Sequence, residues 1–283
     1  MKSMRKTFSI LLLALIQGVV FSYPQATTEK TSPEKVSHRP PPKISKPLPF
    51  SFGETLTYDV SFSKLIFSGT IGEIKLTVSK NSETPKSEFI ELKAEAVSKG
   101  FFPKLFGIKV NNRFNSLVHT ADFGLHTSTT NIDEGNRRRE QKSIINRRAG
   151  RVTYIDRDLT NESAEPKIEE GVSPQWVLDL LSACYFVRIP KLKEGEKISI
   201  PVSDGGKTYN IEVLVGKREE VKIEGRKFKA FRLDVKAFDG RFVRRSGEMF
   251  MWITDDSLHL PVRAKIKTSG ATVTIDLKEM KFG

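Results

Sequence analysis

Hydrophobic and polar residues alternate along most of the chain after residue 50, which is the pattern of half-buried β-strands. The segments "ETLTYDVSF" (54–62) and "IELKAEA" (90–96) show the alternation most clearly. Turn-forming residues separate further runs of this kind in the C-terminal half, at 204–206, 224–225 and 269–270. We expect about twelve strands. The expected fold is all-β and mainly antiparallel, either a large curved sheet, a barrel-like domain or two packed layers.

One segment breaks the alternation and predicts a helix. "SPQWVLDLLSACYFVR" (173–188) begins with Ser173, a good N-cap, and has Pro174 at the first helical position. Its side chains are apolar around nearly the whole circumference, which is typical of a buried helix. We therefore expect the β domain to wrap one buried helix at about 174–187. Cys184 lies in the middle of the apolar arc, where packing is a better explanation than catalysis.

The N-terminus predicts export. Basic residues precede the apolar run "FSILLLALIQGVVF", which is about 14 residues long and shorter than the roughly 20 that span a bilayer. We interpret residues 1–22 as a signal peptide, and an uncleaved anchor is the alternative. The proline-rich residues 23–49 predict a disordered tether, and 50–283 a single β-rich domain. The expected location is the periplasm or the periplasmic face of the outer membrane, and we do not expect an integral membrane protein.

The net charge indicates a class of partner. The chain carries a formal charge of +13, which falls to +10 when Lys2, Arg5 and Lys6 leave with the signal peptide. A basic exported protein meets anionic lipid, lipopolysaccharide or acidic glycan before it meets nucleic acid. We expect a partner of that anionic class, or an envelope protein, and no nucleic acid.

Residues with catalytic or metal-binding potential are few. A single cysteine excludes an intramolecular disulfide and every zinc motif built on paired cysteines. The four histidines form no known metalloprotease or hydrolase motif. Asp255 and Asp256 are better explained by a turn than by catalysis. We expect no enzyme, no cofactor and no metal.

A run of basic residues on both sides of "NRRAG" (146–150) predicts a hairpin with a charged surface. We name this surface the basic ribbon and assign it five arginines: Arg137, Arg138, Arg139, Arg147 and Arg148. If these side chains face one way, they form an electrostatic seat for anionic lipid headgroups or acidic glycans. The alternative is an ordinary solvated face.

A second candidate is the apolar stretch "KGFFPKLFGIKV" (99–110). Its glycines and proline predict a loop or a broken strand. We name four of its side chains the apolar lip: Phe101, Phe102, Leu105 and Phe106. They could contact an acyl chain or enter a membrane interface, and the alternative is a loop that folds back to cap the core.

The central segment resembles a signature of a bacterial exported family known as domain of unknown function 3108. "VLDLLSACYFVR" is similar to that family's V-L-D-P-L-S-A-L-Y-Y-L-R, with Leu180 where proline is usual. The segments 50–76 and 247–277 match its F-x-x-G-E-x-L-x-Y opening and its W-x-x-D-D-x-x-x-x-P-V run. The resemblance covers essentially residues 50–282 and implies an exported β-rich domain without assigned catalytic residues.

These observations favour a non-enzymatic envelope protein that binds an amphiphilic or anionic component. The apolar lip and the basic ribbon would contact that ligand. The alternative is a structural or protein-interaction module that binds through a sheet edge. A hydrolase of unknown substrate, using Asp255, Asp256 or a histidine, ranks third.

Overall fold

A computed structural model describes residues 42, 44, 46–80, 88–161, 163–237, 247–268 and 270–283. The predicted signal peptide and most of the predicted tether therefore lie outside the described residues. Within the described part, one sheet contains fourteen strands. The strands are β1 (Thr55–Lys64), β2 (Phe67–Lys80), β3 (Phe89–Ser98), β4 (Asn111–His119), β5 (Leu125–Glu134), β6 (Arg137–Asn146), β7 (Arg151–Asp158), β8 (Lys167–Val172), β9 (Lys197–Asp204), β10 (Lys207–Ile223), β11 (Arg226–Val235), β12 (Gly247–Thr254), β13 (Pro261–Thr268) and β14 (Ala271–Lys281).

The sheet is a meander that joins the two ends of the chain. Its order is β8-β7-β6-β5-β4-β3-β2-β1-β14-β13-β12-β11-β10-β9, so β1 and β14 pair in the middle and β8 and β9 form the edges. Every strand pair is antiparallel. Alternating buried positions, such as those of β1, line the core. The prediction of a mainly antiparallel, barrel-like β fold is confirmed.

The two edges of the sheet approach each other without closing the hydrogen-bonded ladder. A Cβ atom on Gly171, in β8, would lie 2.0 Å from the carbonyl oxygen of Gly206 in the β9–β10 turn. Only glycine permits this approach, because any side chain would overlap the neighbouring backbone. The hydroxyl of Thr208 also reaches the carbonyl oxygen of Val172 at 3.5 Å. These contacts narrow the gap between β8 and β9.

The predicted buried helix is present, but its predicted start at residue 174 was wrong. The helix runs over Leu180–Phe186, and Asp179 rather than Ser173 is its N-cap. Just before it, Leu178 pairs with Val202 as a parallel bridge, and its amide donates to the carbonyl oxygen of Pro201 at 2.9 Å. The chain therefore covers the exposed edge of β9 before it turns into the helix. The backbone hydrogen bonds formed with the edge of β9 outweigh the helix-forming pattern of the residues just before Asp179.

A second, shorter helix corrects the prediction of a loop or broken strand at 99–110. This helix, which we name α1, spans Phe101–Phe106, and the buried helix Leu180–Phe186 is α2. Gly107 ends α1 in the left-handed conformation, which is a common helix C-terminus. Gly100, at φ +104, lies so close to β2 that a Cβ atom there would be 2.4 Å from the carbonyl oxygen of Thr70. Gly100 thus allows α1 to start directly against the sheet, and Gly107 ends the helix.

A buried ion pair joins three distant parts of the chain. Arg188, just after α2, donates to both carboxylate oxygens of Glu54 at 2.6 and 2.9 Å, and both side chains are almost fully buried. The same guanidinium donates to the carbonyl oxygens of Pro49 and Leu258 at 3.0 and 3.2 Å. It also lies 5.1 Å from the ring centroid of Phe50. This cluster fixes the start of the β domain to the end of α2 and to the β12–β13 turn.

Candidate functional site

Three neighbouring connections lie at one end of the sheet. They are the β1–β2 turn, the β3–β4 connection that contains α1, and the β13–β14 turn. Register places them together, because Ser63 near the end of β1 pairs with Thr272 at the start of β14. Likewise Gly72, early in β2, pairs with Ser98 at the end of β3. We name this end of the sheet the α1 end.

The β1–β2 turn exposes three large apolar side chains. Leu65 and Ile66 form its two-residue connection and are 89% and 90% exposed, and Phe67 is 45% exposed. Leu65 has φ 53, a left-handed conformation that hairpin turns normally assign to glycine, asparagine or aspartate. A leucine in this conformation costs roughly 1 kcal/mol. Neither packing nor backbone geometry in the folded chain explains apolar residues at this turn.

The helix α1 adds two more exposed apolar side chains next to this turn. Phe102 anchors the helix, because its ring packs directly against Gly69 in β2. A Cβ atom on that glycine would lie only 2.7 Å from the nearest ring carbon of Phe102. Phe106 stacks on Phe102 with ring centroids 6.5 Å apart, so both rings are engaged within the chain. Phe101 lies edge-on to Phe102, with ring centroids 5.7 Å apart, yet it is 70% exposed, and Leu105 is 59% exposed. Two residues of the predicted apolar lip, Phe102 and Phe106, therefore hold α1 in place, and the other two, Phe101 and Leu105, are exposed.

We name the exposed apolar group at the α1 end the apolar tip; it comprises Leu65, Ile66, Phe67, Phe101 and Leu105. The surrounding connections, 61–72, 96–112 and 264–275, contain six lysines and no Asp or Glu, although one of these lysines, Lys99, is paired with Glu73 in β2 at 2.6 Å. Lys104, in α1, and Lys109, just after it, are exposed. The tip is thus an apolar surface within a basic rim. Such a combination suits an anionic amphiphilic surface.

The five arginines of the basic ribbon do not form one face. Arg137, Arg138 and Arg139 begin β6, whereas Arg147 and Arg148 lie in the β6–β7 turn at the opposite end of that strand. Side chains alternate along a strand, so Arg138 also faces away from its two neighbours. The hairpin predicted at 146–150 is present, but the strand separates its two basic groups.

Several of these arginines are held by partners within the chain. Arg139 donates to Asp156 at 2.9 Å and lies 3.6 Å from Asp158, and these contacts raise the pKa of Arg139. Arg147 is bound to Asp122 and donates to the carbonyl oxygen of Gln175 at 2.7 Å. Arg138 donates to the carbonyl oxygen of Leu159 at 3.3 Å. These contacts explain the arginines structurally, and a role for them in ligand binding stays a prediction.

The candidate hydrolase residues Asp255 and Asp256 are engaged in contacts that stabilise the fold. Asp256 accepts hydrogen bonds from the Thr254 hydroxyl at 2.8 Å and from the amide of Leu258 at 3.0 Å, which is the geometry of a turn-forming aspartate. Asp255 forms an ion pair with Arg218 at 2.7 Å. Burial raises the pKa of Cys184 to about 11, which disfavours the thiolate. In the part of the chain that the structure describes, no group of three or more His, Cys, Asp or Glu could hold a metal ion.

Sequence reasoning missed the apolar residues of the β1–β2 turn. The alternation at 54–62 predicts one strand, and no role was assigned to Leu65 and Ile66 beyond it. A usable signal was present, because the three consecutive apolar residues of "KLIF" (64–67) interrupt the alternation of β1. The absence of Asn, Asp or Gly there concealed the turn.

Comparison with known proteins agrees with this architecture. A β-barrel-like protein of domain of unknown function DUF1849 from Brucella abortus superposes with a TM-score of 0.52 at 8% identity, over 83% of this chain and 99% of that one. A candidate exported protein with a YmcC-like fold from Bacteroides fragilis gives 0.31 at 10% identity, over 83% and 98%. A LolA superfamily protein from Nitrosomonas europaea gives 0.24 at 9% identity, over 82% and 86%. Only the first supports the fold, and none shows a function.

The family comparison is decisive for membership. No curated protein gives a significant match to the chain. The described residues contain no helix that is both long and apolar enough to cross a bilayer. The family described as protein of unknown function (DUF3108) matches residues 57–278, from β1 to β14. The chain therefore belongs to that family, as the sequence resemblance indicated.

Proposed function

We propose that this protein is an exported, non-enzymatic protein that binds an anionic lipid surface of the cell envelope through the apolar tip. One observation carries the proposal: five large apolar side chains are exposed together at the α1 end, within a rim of six lysines of which Lys99 is paired with Glu73. Exposed apolar groups of this kind mark interaction surfaces. The basic N-terminal region and the short apolar run that follows it support export.

The chemistry of the tip favours a lipid surface over a purely anionic polymer. An acidic glycan would be recognised by the lysines alone and would leave the apolar side chains exposed to water. At a bilayer interface, leucine, isoleucine and phenylalanine side chains enter the boundary between headgroups and acyl chains while lysines contact headgroup phosphates. Both halves of the surface are then used.

Removing the apolar part of the tip is expected to weaken binding at every salt concentration. In the triple variant Leu65→Ser, Ile66→Ser and Phe101→Ser, each side chain loses about 1 kcal/mol of partial burial in the interface. The sum corresponds to about 100-fold weaker binding. Sedimentation with vesicles of phosphatidylcholine containing one part in three of phosphatidylglycerol measures this loss.

A matched control uses apolar residues exposed elsewhere on the sheet. Ile168→Ser with Val172→Ser removes side chains that are 62% and 61% exposed on the edge strand β8. This double variant should bind vesicles as the unchanged protein does. The proposal is wrong if the triple variant keeps full vesicle binding. Stronger binding to soluble acidic polysaccharide than to vesicles would instead favour an acidic glycan as the partner.

The position of a basic residue, rather than the total charge, is expected to set the electrostatic part of binding. Lys104→Glu places a negative charge beside the tip. Arg148→Glu makes the same charge change in the β6–β7 turn, at the end of the sheet opposite the α1 end. A basic residue contributes about 1 kcal/mol near an anionic surface, so the charge reversal in Lys104→Glu should cost about 2 kcal/mol and weaken vesicle binding about 30-fold. Arg148→Glu should have little effect.

The salt dependence of vesicle binding separates the electrostatic contribution of Lys104 from the apolar contribution of the tip. The Lys104→Glu defect should shrink as sodium chloride is raised towards 1 M, where the Debye length falls to about 3 Å. The apolar defect of the triple variant should persist. Equal losses from Lys104→Glu and Arg148→Glu would show that binding depends only on net charge, and would leave the basic rim without a specific role.

A protein-interaction module remains the second candidate, and one observation favours it. The edge strand β8 exposes Ile168 and Val172, and an exposed edge can pair with a strand of another chain. The strand is only six residues long and also carries Lys167, Glu169 and Glu170. Short, charged edge strands are typical of sheets that avoid such pairing. The apolar tip is therefore the better supported surface.

A further inference from the structure

A polar cavity lies inside the sheet, away from the apolar tip. Its volume is about 60 Å³, and its walls come from β4–β7 on one side and from the start of α2 and the end of β9 on the other. Five hydroxyl-bearing side chains and one amide line it, together with the carboxylates of Asp179 and Asp204. The lining residues described here include no Lys, Arg or His. The interior is therefore acidic and rich in neutral oxygen atoms.

The first carboxylate is held in place by the protein itself. Asp179 is the N-cap of α2: its Oδ1 accepts from the amide of Ser182 at 2.9 Å. Its Oδ2 accepts from the hydroxyl of Ser116, in β4, at 2.5 Å. Burial raises the pKa of Asp179, although these hydrogen bonds favour the charged form. Asp179 thus contributes a fixed and well-oriented carboxylate to the wall.

The hydroxyl next to the second carboxylate is not satisfied in this way. Ser203 is 5% exposed, and its Oγ has no hydrogen-bond partner within the chain although the residue lines the cavity. Asp204 follows it at the end of β9 and lines the same wall. Burial and the neighbouring Asp179 raise the pKa of Asp204 to about 6. A buried hydroxyl without a partner, beside a half-buried carboxylate, is unfavourable unless a ligand satisfies it.

We infer that this cavity binds a compact cation, through the carboxylates of Asp179 and Asp204 and the hydroxyl oxygen of Ser203. Two carboxylates exclude an anion and favour a positive charge. The hydroxyls of Ser128, Thr130 and Tyr154 supply neutral oxygens of the kind that hard cations and ammonium groups accept as ligands. The inference is independent of the tip, because none of these residues lies at its exposed surface.

The size of the cavity limits the ligand to a small ion. A cavity of about 60 Å³ holds a few water molecules. It can therefore accept a partly hydrated divalent metal ion or a primary ammonium group with a short chain. Magnesium binds through one or two carboxylates and keeps several waters, so two carboxylates suffice for it. A quaternary ammonium ion such as choline is bulkier and offers no N–H donor.

Thermal unfolding of the purified protein tests the inference with defined probes. We would compare magnesium chloride, calcium chloride and methylammonium chloride with choline chloride at equal ionic strength, after dialysis against a chelator. At about ten times its dissociation constant, a bound cation should raise the unfolding midpoint by about 3–5 °C relative to choline. A rise with the divalent salts alone identifies a metal ion, and a rise with methylammonium alone identifies an amine.

Matched variants assign the effect to the cavity. Asp204→Asn and Ser203→Ala should each abolish the cation-dependent rise, while Asp255→Asn, in an exposed ion pair with Arg218, should retain it. Asp204→Asn should itself fold, because it removes a charge from a half-buried position. If it does not fold, Ser203→Ala and calorimetric titration of the unchanged protein decide instead. The inference is overturned if no compact cation exceeds choline, or if a folded Asp204→Asn or Ser203→Ala variant retains the rise.

Discussion

Glu54→Ala is expected to lower the free energy of unfolding by about 3–5 kcal/mol, because it leaves the guanidinium of Arg188 buried without its carboxylate. Both side chains of this pair are almost inaccessible to solvent, and two hydrogen bonds of 2.6 and 2.9 Å join them. The Nε of Arg188 already has no hydrogen-bond partner within the chain. Removing the carboxylate therefore leaves a buried cation that the carbonyl oxygens of Pro49 and Leu258 only partly satisfy.

Urea-induced unfolding measures this loss, and a surface ion pair provides the control. Arg151 and Glu170 are joined at 2.7 Å, but both side chains are 55% exposed. Glu170→Ala should cost no more than about 1 kcal/mol, because water solvates the remaining arginine. Similar costs for Glu54→Ala and Glu170→Ala would contradict the structural role of the buried pair. The double variant Glu54→Leu with Arg188→Met should recover much of the stability, since no uncompensated charge remains.

The second large effect is expected in the helix α2. Leu181→Asp should abolish folding, because it places a carboxylate without a partner among the apolar residues that pack α2 against the sheet. Leu181 is 8% exposed and belongs to the main core cluster, together with Leu178 and Val202. A loss of several kcal/mol is comparable to the whole stability of a typical domain. Circular dichroism and the yield of folded protein would show the collapse.

Two variants separate this effect from a general sensitivity to substitution. Leu65→Asp introduces the same carboxylate at an exposed position of the apolar tip and should fold normally. Cys184→Ala, in the same helix, should also fold and lose no more than a few kcal/mol, because only a partial cavity forms. Normal folding of Leu181→Asp would contradict the packing role of α2. A folded Cys184→Ala protein that lost an activity would contradict the structural role of the cysteine.

The sequence pattern alone was sufficient to predict the main features of the fold. Period-two alternation identifies strands from local information, because a half-buried strand must alternate in sequence whatever its neighbours are. The turn at 224–225 lies between β10 and β11, as expected from its residues. The apolar circumference of 176–187 likewise predicted a buried helix, and α2 lies in that range.

The start of α2 depended on a contact that is distant in sequence. Residues 173–178 have a helix-compatible composition, but Leu178 pairs with the edge of β9 at Val202. The amide of Leu125 also donates to the carbonyl oxygen of Val177 at 2.8 Å. Backbone groups that are satisfied by other strands cannot form a helical turn. Local propensity contains no information about such partners.

The candidate sites, like the helix α2, were predictable only as far as local sequence determines them. Composition identified 99–110 and 137–148 as unusual, but only register showed that the basic ribbon is divided between two ends of β6. Only the tertiary structure brings the β1–β2 turn beside α1, and Asp179 into one cavity with Ser203 and Asp204. Alternation and charge are properties of single segments and can be read locally. Proximity between segments far apart in the chain depends on strand order and on the packing of the whole sheet.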